Sequence, residues 1–253
     1  VTRQFCNGKT LDVQGIHIES LAWPQVEAAI RSIDMVLIPL GAASKEHGLH
    51  LPLNTDQLFA DYLARRISQE CKVLVAPTVT YGYYPAFLEY PGSVSIGPHT
   101  FRDLIVDICR SFARHGVRKC YVLNTGISTI PPLEAAKQLL RRESIRMEFT
   151  DDHSVGSAAR ASVEQQPRGT HADEIETSIM LYIAPEVVRL ELAKQELSPD
   201  APGGLTRDAG TPGVYSPTGS WGDPTLATAE KGRIVTEAIV ADIINFFRLE
   251  FGA

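Results

Sequence analysis

Four short, almost wholly apolar runs set the limits on what this chain can fold into. They are Met35-Val-Leu-Ile-Pro-Leu40, residues 73–77, residues 120–124 and a weaker run at 145–150. Runs of this length with many branched residues suit strands covered on both faces, not strands with one wet side. Helical patterns fall between them. Thr55 can cap a helix over 56–69 that puts Leu58, Phe59, Tyr62, Leu63 and Ile67 on one stripe. Thr100 can cap another, ending at His115 before Gly116. Pro131 and Pro132 suit the first turn of a third helix, through Arg142. Two more are expected over 170–184, ended by Pro185, and over 225–251, with Gly232 inside the last. Strand and helix in alternation imply a parallel sheet between helical layers, an α/β fold with a three-layer α/β/α sandwich and a mostly parallel central sheet. With 253 residues and no internal repeat, we expect a single domain over 1–253.

Composition narrows the function. Lys and Arg number 24 against 30 Asp and Glu, a net charge of −6, which argues against a nucleic-acid scaffold built on phosphate contacts. No apolar run approaches the ~20 residues of a membrane helix. Residues 1–11 are mixed and polar, unlike a secretory signal. The four cysteines, Cys6, Cys71, Cys109 and Cys120, form no C-x-x-C pair and read as reduced thiols of a cytoplasmic protein.

In open parallel sheets ligands bind beyond the carboxyl ends of the strands, so the residues after each run are the ones to inspect. After the first comes Gly41-Ala-Ala-Ser-Lys-Glu-His-Gly-Leu-His-Leu-Pro-Leu-Asn-Thr-Asp56. His47, His50 and Asp56 are credible ligands for a divalent ion; a helix-start loop with hydrogen-bonded histidines accounts for them equally well. After the third run, residues 124–129 make a tight turn with no His, Cys or carboxylate. Asp151-Asp152-His153 follows the fourth and suits a solvated loop. In Gly169-Thr-His-Ala-Asp-Glu-Ile-Glu-Thr-Ser178 a helix beginning at Thr170 would set His171 and Glu174 on one face and turn Glu176 away. The alternative is a capping box on Thr170 and Asp173. Residues 198–223 form one long Gly- and Pro-rich loop, of the kind that serves a site or an oligomer contact.

Taken in order, these motifs resemble the creatininase family of metal-dependent amidohydrolases. The resemblance runs from residue 37 to the C-terminus. It rests on Pro39-Leu-Gly41, His47-Gly-Leu-His-Leu-Pro-Leu-Asn-Thr-Asp56, Tyr90-Pro-Gly-Ser93, Arg114-His-Gly-Val117, Asn124, His171 to Ser178, Trp221-Gly-Asp-Pro-Thr225 and Ala227-Thr-Ala-Glu-Lys-Gly232. It implies an α/β/α fold, a homo-oligomer (often a hexamer), a small-molecule substrate, and hydrolysis of the C–N bond of a cyclic amide or formamide with two divalent ions.

This chain departs from the family pattern. The bridging Asp maps to Asp56 and the first-loop His to His47, but the family's Glu position holds Lys45, with Glu46 one residue off. The turn His maps to Gly126, a turn carboxylate to Ser128, and a further His to Phe87. The resemblance therefore implies a reduced site: one ion (Zn, Mn or Fe) or none, held by His47, Asp56 and Glu174. His171 would be the proton shuttle, Lys45 the oxyanion stabiliser, and Glu174 a possible acid/base. His50, Ser128, Tyr84 and Trp221 would contact substrate. Two other readings stand beside it: a metal-free enzyme centred on Lys45 as base or Schiff-base nucleophile, and a non-catalytic ligand-binding or assembly protein.

Overall fold

The computed structural model describes residues 15–151 and 154–252. The readings of Cys6, of residues 1–11, and of Asp152 and His153 lie outside them. Five parallel strands form the central sheet: β1 (Ile16–His17), β2 (Met35–Leu40), β3 (Leu74–Val75), β4 (Lys119–Asn124) and β5 (Arg146–Phe149), in the order β1-β3-β2-β4-β5. The register of the central pair runs from Met35 opposite Lys119 to Leu40 opposite Asn124, so β2 and β4 end side by side. All six residues of β2 are buried, as its unbroken apolar run requires.

Alternate residues of these strands feed two cores. Val36, Ile38, Leu40, Cys120 and Val122 pack with Phe101, Ile105 and Leu133, which come from α3 (Pro98–Ala113) and α4 (Ile130–Arg141). Met35, Leu37, Tyr121 and Leu123 face the other way. They meet Leu63 and Ile67 of α2 (Thr55–Glu70), Ile175 and Ile179 of α6 (Glu174–Ile183), and Ile239, Ile243 and Phe247 of α7 (Ala229–Glu250). This is the three-layer α/β/α arrangement expected from the sequence. Two short helices outside those expectations, α1 (Trp23–Ile30) and α5 (Ser157–Val163), complete the α-helices among the described residues, and β6 (Leu205–Thr206) pairs with β7 (Val214–Tyr215) in the long loop.

Several boundaries differ from the sequence reading, each for a local reason. Gly97 caps α3 and Pro98 occupies its first turn, so Thr100 lies inside the helix. The last helix starts at Ala229, where the Thr228 side chain accepts the Lys231 N–H; residues Pro224–Leu226 form a separate 3₁₀ turn. The helix expected from Thr170 begins at Glu174. Asp173 is its cap, accepting from the N–H groups of Ile175 and Glu176. Upstream of the cap the chain is extended: His171 bridges to Trp221, and Ala172 takes a left-handed φ of 46°. That turn decides the geometry of the site.

Candidate active site

The residues of interest converge where β2 and β4 end. The loop after β2 carries Lys45, Glu46 and His47, and the first turn of α2 returns Asp56 to it. Lys45 Nζ lies 2.7 Å from Asp56 Oδ2, both side chains being buried. His47 Nε2 lies 3.0 Å from Asp56 Oδ1. The His171 ring lies between those of His47 and Phe87, tilted to each, with centroids 5.0 and 4.4 Å away. Lys45 Nζ sits 4.9 Å from the Phe87 ring centre, a cation–π contact between two buried side chains.

The two histidines are oriented by neighbouring backbone carbonyls. His47 Nδ1 is 2.9 Å from the Lys45 carbonyl oxygen. That oxygen can only accept, so Nδ1 carries the proton. In the neutral ring Nε2 is then a lone pair, and it faces another acceptor, Asp56 Oδ1. His171 Nε2 is 2.9 Å from the Glu46 carbonyl oxygen and 3.1 Å from Glu46 Oε2, so it too donates. His171 Nδ1 is left facing Glu176 Oε2 at 3.8 Å. Acceptors that face one another in a buried site call for a cation between them, either a proton on the ring or a metal ion. Atoms of His47, His171 and Glu176 lie within 4.8 Å of one another. Two imidazoles and a carboxylate fit one ion of the Zn, Mn or Fe kind.

The positions that would hold a second ion do not fit one. The two ligand positions that the resemblance assigns to that second ion alone present an ammonium at Lys45 and no side chain at Gly126. Burial alone would strip the proton from Lys45, but the carboxylates of Asp56, Glu176 and Glu46 hold it above its ordinary value. A protonated amine donates and cannot ligate. Burial would likewise raise the carboxyl of Asp56, yet Lys45 and His47 hold it well below the usual carboxylate range. Burial opposes a charge on His171, and Glu46 and Glu176 override it and raise the ring. Glu176 is held below its ordinary value, against burial, by His171, His47 and Lys45.

The structure thus brings Lys45, His47, Asp56 and His171 together as expected, and corrects Glu174. Glu174 is fully buried away from the cluster, paired with Lys231 Nζ at 2.5 Å and accepting the N–H groups of Gln165 and Gln166. Glu176 stands in the site in its place. The helical-wheel argument fails because His171 precedes the helix, so the 100° step between residues does not reach back to it. A cap assigned at Asp173 would have left Glu176 open as a candidate. Glu46, one residue out of register with the family's Glu, also reaches the site: its carboxylate meets His171 from behind.

The predicted substrate contacts divide. A hollow of about 220 Å³ opens over Lys45, with Tyr84, Ser128, His171, Glu176 and Trp221 on its wall. A second, of about 160 Å³, adjoins it at Glu176 and reaches Asp56. His50 is not on the wall of either hollow. It is buried, its Nε2 lies 2.8 Å from Thr177 Oγ1 on α6, and burial holds its pKa down to about 4.

A parallel sheet between helical layers, with two histidines and a carboxylate gathered where its central strands end, is the fold and donor set of an α/β/α hydrolase. The chain belongs to the creatininase family: the model of that family, creatinine amidohydrolase, matches residues 19–247. A mycofactocin precursor peptide peptidase of Mycobacterium ulcerans is 32% identical over 220 residues, covering 83% of each chain. Creatinine amidohydrolase of Pseudomonas putida is 26% identical over 264 residues, covering 94% of this chain and 98% of that one. A crystal structure of creatinine amidohydrolase superposes with a TM-score of 0.79 at 25% identity, over 94% of this chain and 98% of its own. Creatininase has also been solved in a manganese form and, as a point mutant, in a zinc–zinc form.

Proposed function

We propose that this chain hydrolyses a C–N bond of a small amide, cyclic amide or formamide, with one divalent ion per chain and Lys45 as a fixed cation beside it. The observation that carries the reading is the buried Lys45–Asp56 pair at 2.7 Å, next to the converging lone pairs of His47, His171 and Glu176. His47, His171 and Glu176 would hold the ion, which when bound supplies Lewis acidity toward a carbonyl and lowers the pKa of water. His171 is then a ligand and not the shuttle its sequence position suggested. Lys45, kept charged by three carboxylates, stabilises negative charge growing on the carbonyl oxygen of a substrate in the larger hollow. Asp56 holds that ammonium in place and takes no proton itself. Tyr84 and Trp221 give the substrate an apolar wall, and Ser128 gives it a hydroxyl.

A Lys45-centred amine chemistry needs the free base, which the surrounding carboxylates oppose. The relatives' names cover both a peptide and a small ring as substrate, so the exact amide is left to a screen. Among the described residues no helix is long and apolar enough to cross a membrane. The free, buried Cys71, Cys109 and Cys120 suit the reducing cytoplasm.

Elemental analysis of protein purified without chelator is the test. We expect about one ion per chain, lost in Glu176→Gln and kept in Glu174→Gln. Two ions in the wild-type protein would overturn the fixed-cation role of Lys45. No ion after incubation with Zn, Mn or Fe would overturn the hydrolase reading in favour of a non-catalytic ligand-binding or assembly role.

A further inference from the structure

Among the described residues Glu46 is the one buried charge of the site that the proposed reaction does not use. Its side chain and that of His171 are each less than a tenth exposed. Every polar atom of the residue is engaged: the N–H donates to Ser93 Oγ at 2.9 Å, Oε1 accepts the Gly48 N–H, and Oε2 and the carbonyl oxygen both face His171 Nε2. The long loop closes over the same place. Gly219, at a φ of +88°, passes so near the carboxylate that any Cβ there would collide with Glu46 Oε1. Two residues on, Trp221 clasps the backbone of His171. Its N–H donates to the His171 carbonyl at 2.8 Å, and its own carbonyl accepts the His171 N–H at 3.2 Å. The strap over residues 216–222 therefore grips both members of the Glu46–His171 pair.

We infer that Glu46 is a positioning residue: held by the strap, its carboxylate keeps the proton of His171 on Nε2 and so leaves a lone pair on Nδ1, which faces Glu176. The inference rests on the proposed ion site. The carbonyl of residue 46 orients the ring by itself. The carboxylate does more strongly what the neutral carbonyl does: its full charge adds to the cost of a lone pair on Nε2, and so disfavours the other tautomer further, and it makes the ring a stronger ligand through Nδ1. A residue that merely filled this space would do neither.

Glu46→Gln separates the two roles, since it keeps the volume but offers an amide that can turn its NH₂ to the ring. Two readouts are needed. The first is the His171 tautomer by long-range ¹H–¹⁵N NMR at alkaline pH, with the ring neutral, the signal being assigned from its absence in His171→Gln. The second is Zn²⁺ affinity by competition with a chromophoric chelator. We expect the Nε2–H form in the wild-type protein, a mixture in Glu46→Gln, and Zn²⁺ binding weakened about 10- to 100-fold in the variant. Gly219→Ala, which displaces the carboxylate without altering it, should weaken Zn²⁺ binding in the same direction. An unchanged tautomer, or a Zn²⁺ affinity within twofold of wild type in Glu46→Gln, would overturn the inference. If the wild-type protein binds no Zn²⁺, the ion-site reading falls, and the tautomer alone decides whether Glu46 positions His171.

Discussion

The Lys45–Asp56 pair concentrates the chemistry of the site in two side chains. Removing one member of such a buried pair leaves an uncompensated charge, at a cost of roughly 3–5 kcal/mol, so the pair is not freely replaceable one side at a time. If the ammonium stands where the family's second ion sits, restoring ligands should restore the ion. Gly126 has room for a side chain: a Cβ there would meet Thr129 Oγ1 at 3.5 Å and the Tyr84 ring at 3.7 Å, ordinary contacts. Lys45→Glu combined with Gly126→His should therefore raise bound zinc from one to two per chain by elemental analysis. A count that stays at one would mean that Lys45 does not occupy an ion's place. His50 makes a separate prediction at this scale. Its imidazole ionises at about 4 in the folded chain against the ordinary 6.5, because burial disfavours the charge. Between those values the unfolded chain binds a proton that the folded chain refuses. Its contribution is whole above about pH 6.5 and declines as pH falls toward 4, with a slope of up to ~1.4 kcal/mol per pH unit. The urea midpoint should drop between pH 7.5 and pH 5, and drop less in His50→Gln, which can still bond Thr177. Equal drops in the two proteins would refute it.

At the scale of elements, what could be read from the sequence depended on how much of each element is set by burial. β2 and β4 were legible because nearly every residue faces a core, and an unbroken apolar run of six is too short for a buried helix. β3 was legible too, since its two paired residues lie inside the apolar run at 73–77, whereas β1, two residues long, carries no period to detect. The start of α6 was misplaced because Thr170 and Asp173 both have cap chemistry, and only the pairing of His171 with Trp221 decides between them. That one error exchanged Glu174 for Glu176, while Lys45, His47 and Asp56, fixed by one contiguous loop, came through intact. Gly232 is another case in which a long-range contact overrides a local preference. Inside an exposed helix, Gly→Ala gains about 1 kcal/mol. Here α7 crosses α6 at Gly232 so closely that a Cβ would strike the Ser178 carbonyl. Overpacking at such a crossing costs ~1–3 kcal/mol, and it also disturbs the helix that carries Glu176. Gly232→Ala should lower the thermal midpoint, by a few degrees per kcal/mol in a chain of this size. A rise in the midpoint would show that the helices can separate at no cost.

For the whole molecule, the parallel sheet explains why the site lies where it does, since the ends of β2 and β4 bring the 41–56 and 124–129 loops to one edge. The same edge bears an apolar surface. Lys45 N–H closes the 44–53 segment on the Leu53 carbonyl at 3.0 Å, and the 93–94 segment is tied to it by Val94 N–H to the Ser44 carbonyl and by Glu46 N–H to Ser93 Oγ, each at 2.9 Å. From this pair of segments Leu49, Leu53 and Val94 project outward, 47%, 39% and 41% exposed. Clustered apolar side chains beside a site are commonly covered by another chain. A homo-oligomer of the kind the sequence resemblance implies, often a hexamer, would cover them with a second copy, and the site loop would then be stiffened by assembly. Sedimentation equilibrium should give a multiple of the chain mass for the wild-type protein. Leu53→Glu together with Val94→Glu should shift it toward the monomer, because two desolvated carboxylates at such a contact cost more than the surface they replace returns. Zn²⁺ binding should weaken along with assembly, since Lys45, Glu46 and His47 lie on the loop between these residues. A wild-type monomer, or an oligomer indifferent to both substitutions, would place any assembly surface elsewhere on the fold and leave the loop to be held by the Ser93 and Gly219 contacts of its own chain.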